Sequence, residues 1–139
     1  MKQLMISLGS IAVIAFLYLG LESMKQAGET GIAVKLPELS SVSKRGQALF
    51  NENCASCHGV NASGTEQGPP LIHDIYNPAH HDDRAFYAAV RNGVRQHHWP
   101  YGNMPPQPQV SNLMMADILH FIRETQIENG IFNKPHQMQ

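Results

Sequence analysis

The sequence predicts an all-α domain of three main short helices joined by long loops. Apolar residues recur at three- and four-residue steps in three separate stretches, each opening on a residue that caps helices well, and no stretch of useful length alternates with a period of two. The first helix is expected to open at Ser43, with Gly46, Leu49, Phe50 and Cys54 along one stripe. The second is expected over Arg84 to Asn92, opened by Asp82 and Asp83 and closed by Gly93. The third is capped by Ser111 and carries Met114, Ile118, Phe121 and Ile122 on one face. Between them lie "ASGTEQGPPLIHDIYNPAHH" and "QHHWPYGNMPPQPQV", which show no period. Three short helices bury little apolar area, and loops of this length count against a compact domain. The core therefore lacks something large and apolar.

At 139 residues with 42% apolar composition, the chain has material for one domain. A formal net charge of −1 leaves no basic field to neutralise phosphates, which argues against a nucleic-acid partner. Leu4 to Leu21 is uncharged and mostly apolar behind Lys2. As a helix it would span about 27 Å, close to the roughly 30 Å hydrocarbon core of a bilayer. A cleavable signal wants small residues one and three positions before the cut. Gly20, Ser23 and Ala27 are each let down by Tyr18, Leu21 or Lys25. Residues 1–24 are thus expected as a single transmembrane anchor in the cell inner membrane, with a cleaved signal peptide as the alternative. Lys2 argues for a cytoplasmic N-terminus, which puts the rest on the periplasmic side. Residues 25–41, with Gly28, Gly31 and Pro37, read as a flexible linker, 42–127 as the folded domain and 128–139 as a polar tail.

Both cysteines of the chain lie in "NCASCHG", as Cys54 and Cys57, with His58 directly behind them. Four chemistries compete for this group. A thioredoxin-like redox pair needs a strand before the motif, whereas a helix leads in here. Structural zinc needs two further ligands, and His73, His80 and His81 stand at spacings that match no recurrent finger. A disulfide alone leaves the small core and long loops unexplained. A covalent haem accounts for all of it, because two thiols add across the porphyrin vinyl groups and the adjoining imidazole comes under the iron as proximal ligand. The second axial position calls for a thioether or another imidazole. Met104 fits best, since Gly102 frees the backbone before it and Pro105 and Pro106 stiffen it behind; His97 and His98 are the next candidates. Met114 and Met115 belong to the helical stripe, while Met24 and Met138 are poorly placed.

From Ser43 to about Thr125 the chain resembles a class I cytochrome c. "GQALFNENCASCHG" is similar to the family's first helix and haem motif, "GPPL" to its proximal loop and "NMPP" to its distal methionine loop, in family order. The resemblance implies one covalent haem c with iron held by His58 and Met104. It implies that Gly46 and Phe50 cross the last helix near Phe121 and Ile122, that the Pro69 carbonyl accepts from His58 Nδ1, and that Leu71 packs on the haem. Trp99, with Arg91 and Arg95 one helical turn apart, is expected to reach the haem propionates.

The function expected is electron transfer between membrane or periplasmic redox proteins, without catalysis and without a small-molecule substrate. Two alternatives are a cytochrome subunit of a larger oxidoreductase and a ligand-binding or sensor protein with a displaceable Met104. His73, His80, His81, His97 and His98 remain, either as solvated loop polarity or as a second metal site, a pH-responsive patch or propionate partners.

Overall fold

A computed structural model describes residues 31–133. Among them are α1 (Ser41–Asn53), the single turn α2 (Ala55–His58), α3 (Asp83–Asn92) and α4 (Asn112–Glu128), with 3-10 turns at Val60–Ala62 and Asp74–Tyr76. The described residues contain no strand, and one isolated antiparallel bridge joins Val94 to Met104. No described helix is long and apolar enough to cross a membrane. The expected anchor, residues 1–24, and the first part of the expected linker lie outside the described residues.

α1 and α4 cross at the point the glycine in the first stripe marks. A Cβ on Gly46 would run into the Asp117 carbonyl oxygen, so any side chain there would push the two helices apart. Beside the crossing, Phe50 and Phe121 pack with ring centroids 5.8 Å apart, and Ile118 and Ile122 close the layer, all four fully buried. Each such side chain stabilises the fold by about 1.5–3 kcal/mol. The Arg45–Asp117 ion pair at the rim, 3.1 Å long, is more than half exposed on its arginine side and adds little.

Two boundaries differ from the sequence expectation. α1 opens on Ser40, not Ser43: the Ser40 hydroxyl accepts from the Ser43 N–H and donates to Glu124 Oε1 at 2.7 Å, while Ser43 lies buried inside the helix. The linker expected over 25–41 is also too long, because residues 31–40 run as an irregular strap along the domain. Ile32 N–H donates to Ser63 O at 2.8 Å, Lys35 exchanges two hydrogen bonds with the Asn129 side chain, and Leu39 is buried in the core. One buried leucine in an irregular segment makes no period, which is why it reads as a tether. The tail is shortened for the same reason, since Ile131 is buried beyond the end of α4.

The long loop after α2 is held by polar side chains of α4. Gln126, 1% exposed, donates to Leu71 O and Tyr76 O. Arg123 donates to Tyr76 O at 2.8 Å, His81 O at 2.7 Å and Asp83 Oδ1 at 3.0 Å, with its guanidinium 4.9 Å from the Phe86 ring centroid. These bonds replace the ladder that a loop cannot make for itself.

Candidate functional site

The helices and both loops enclose a cavity of about 410 Å³. Its walls are apolar: Phe50 from α1, Phe86 from α3, Ile118 and Ile122 from α4, and Leu71 from the first loop. Cys54, His58, Pro69, Trp99 and Met104 reach it as well, so five of the residues singled out in the sequence meet with Leu71 around one space. Cys57 is exposed and takes no part in the lining, one turn from Cys54. Arg95 does not join them either. α3 ends at Asn92, so Arg95 is not one helical turn beyond Arg91, and it is exposed and away from the cavity.

α1 delivers Cys54 at its C-cap, where the Cys54 N–H still donates to Phe50 O, and α2 turns the chain so that His58 follows inward. His58 Nδ1 lies 2.9 Å from Pro69 O. A carbonyl only accepts, so Nδ1 carries the proton and Nε2 keeps its lone pair. Burial pushes the His58 pKa below the ordinary imidazole value, against the pull of the Pro69 bond, and favours the neutral ring a metal needs. Gly59, at φ +74°, then reverses the chain, and Thr65 Oγ1 donates to Cys57 O at 2.5 Å. Burial first, and the neighbouring Cys57 second, push the Cys54 thiol up to about 11. A dithiol built for redox exchange has a lowered thiol pKa, so this environment disfavours that chemistry.

Met104 is pinned through its backbone. Its N–H and carbonyl form both bonds of the bridge to Val94, each 2.9 Å, and Gln107 N–H ties the following turn to Val90 O at 2.7 Å. Gly93 does more than close α3: at φ +74° its missing Cβ would lie 2.5 Å from Met104 O, so only glycine lets the methionine strand come this close. The sequence marks Gly93 as a helix end; its second role depends on a pairing that no local pattern carries.

The histidines of the two loops gather where those loops meet. His73 Nδ1 accepts from Ile75 N–H, and its ring stands edge-on to Trp99 at 5.1 Å. His80, His81, His97 and His98 form a cluster of ring contacts with centroids 4.3 to 6.1 Å apart, and three of them, His81, His97 and His98, also line the cavity.

The cavity fits a haem. It is large and apolar, it brings an imidazole nitrogen, a thioether and a thiol together, and its size accounts for the shortage of core. Trp99 Nε1 is buried without a well-formed hydrogen bond, though close enough to the Tyr76 hydroxyl to influence it, and is a donor that a carboxylate could use. The family model described as Cytochrome c matches residues 43–126. No curated protein and no solved structure matches the chain.

Proposed function

The chain belongs to the cytochrome c family, and from that premise we propose that it is a one-electron carrier with His58 and Met104 as axial ligands. Its cofactor is a covalent haem c with iron, and Cys54 and Cys57 have the spacing of the attachment motif. When bound, the haem supplies one-electron redox chemistry. The protein's part is to hold and shield. His58 offers Nε2 while Pro69 fixes the ring, Met104 offers its thioether from a backbone tied to Val94, and Phe50, Leu71 and Ile122 keep water from the space between.

The observation that carries this reading is that His58 and Met104 line the same cavity, each on an immobilised backbone. If His58 and Met104 both held the iron, the chain would leave no coordination site for a substrate. Spectroelectrochemical titration of the purified protein is expected to give a reversible one-electron wave, and the ferrous form is expected to resist carbon monoxide. Rapid carbon monoxide binding by the parent protein would mean that the sixth position is open, and the carrier reading would fall to a ligand binder.

The run Leu4 to Leu21 supports a further part of the proposal, that the carrier is anchored in the inner membrane with its haem domain on the periplasmic side and serves redox proteins there. The mature protein is expected to stay in the membrane pellet through high-salt and alkaline washes and to need detergent for release. Haem protein recovered in the soluble periplasmic fraction, with an N-terminus beyond residue 24, would show a cleaved signal instead.

A further inference from the structure

We propose that His80, His81 and His98 form a second metal site, at the edge of the cavity that His81 and His98 also line, for a borderline divalent transition-metal ion, Zn²⁺ or Cu²⁺. Each residue offers one ring nitrogen, and the three donor atoms lie within 4.8 Å of one another. Two nitrogens bound to zinc at about 2.0–2.1 Å in a tetrahedron stand about 3.3 Å apart. His80 Nε2 and His98 Nε2 are already 3.2 Å apart. A hydrogen bond between two imidazoles explains that one distance. It does not explain the third ring or the way all three are supported.

His81 has the outer contact that metal-bound histidines require. Its Nδ1 lies 2.7 Å from Ile75 O and must donate to it, which leaves Nε2 with the lone pair. The His81 carbonyl accepts from Arg123 Nη2 at 2.7 Å, and its N–H donates to Asn77 O at 2.8 Å. His80 sits on the same turn: its N–H also donates to Asn77 O, while Asn77 Oδ1 takes the Ala79 N–H at 2.9 Å. His98 comes from the other loop, which Gln96 and Asn103 cross-link through bonds of 2.9 Å to Gly102 and Gln96 backbone N–H groups. The donors are thus presented by two braced loops, and little ordering remains to oppose binding.

Three neutral imidazoles suit zinc or copper and suit magnesium or calcium poorly. They leave a fourth position for water or an incoming ligand, the pattern of open sites rather than closed structural ones. An ion bound here joins the loop of residues 71–82 to the loop of residues 94–104, the second of which carries Met104. The site is compatible with Met104 or His97 as the sixth ligand of the haem, because neither is one of its donors; ligation of the haem by His98 would remove it.

The test is calorimetric titration of the haem-loaded protein with Zn²⁺ and, separately, with Cu²⁺. One ion per chain is expected, removable by a chelator. His80→Ala and His98→Ala are each expected to weaken binding by more than the roughly 10–100-fold that loss of an outer partner costs, while His120→Ala, on the exposed side of α4, leaves it unchanged. Absorbance of the haem checks that each variant has assembled. Electron paramagnetic resonance of the copper-loaded parent is expected to show nitrogen couplings from three imidazoles, a readout that needs no variant. Failure of both ions to bind, equal binding by His98→Ala and parent, or fewer than three coupled nitrogens would overturn the site.

Discussion

Replacing His58 by Ala is expected to leave little folded protein, and replacing Cys54 by Ser to cut the yield of haem-loaded protein sharply. The reason is the size of what the core would lose. Applying the cost of residual cavities in cores, about 24 cal/mol per Å³, to a space of about 410 Å³ gives an upper bound of about 10 kcal/mol. The whole stability of a small domain is only about 5–15 kcal/mol. Whatever occupies the cavity is therefore part of the fold, and its binding energy is folding energy. Cys54→Ser removes one of two expected thioethers but keeps His58, so some holoprotein should remain. His58→Ala removes the ring that Pro69 holds in place and opens the cavity wall. Intact mass after acid and organic extraction measures the covalent haem, and far-ultraviolet circular dichroism with thermal melting measures the fold. A parent chain that extracts at the mass of bare polypeptide, made in a host competent in cytochrome maturation, would end the covalent assignment.

The candidate site could be assembled from sequence because its residues are adjacent in sequence or carried by strong local signals. Cys54, Cys57 and His58 are one motif, and Met104 stands between Gly102 and a proline pair. The helices were legible from their periods, and Asp82, Gly93 and Ser111 mark ends that the structure keeps. What escaped depends on contacts far apart in the chain. Nothing local distinguishes Gln126 and Arg123 from surface polarity, yet they hold the first loop through its carbonyls, 42 to 55 residues away. The strap of residues 31–40 is fixed by Asn129 and Glu124, 84 to 94 residues away. Arg95 misled for the opposite reason: its spacing from Arg91 means one turn only if the helix continues, and Gly93 stops it.

Replacing Met104 by Ala is expected to lower the reduction potential and open the iron to carbon monoxide and cyanide, which the parent is expected to resist. A thioether in the sixth position favours the ferrous state, so its loss moves the potential down, by on the order of 0.1–0.3 V within the roughly 0.8 V range that axial ligands cover. The fold should survive. Met104 is half-buried, its bridge to Val94 uses backbone atoms that alanine retains, and Pro105 and Pro106 still stiffen the segment. Two further variants separate ligation from packing. Met114→Ala, half-buried on α4 and outside the cavity lining, should leave the potential in place. Gly93→Ala keeps the thioether but puts a Cβ 2.5 Å from the Met104 carbonyl, so it should displace the methionine and shift the potential in the same direction as Met104→Ala, by less. His97 and His98 also line the cavity and could supply a nitrogen in place of sulfur. In that case Met104→Ala would leave the potential and the carbon monoxide resistance unchanged, and His97→Ala or His98→Ala would produce the loss instead.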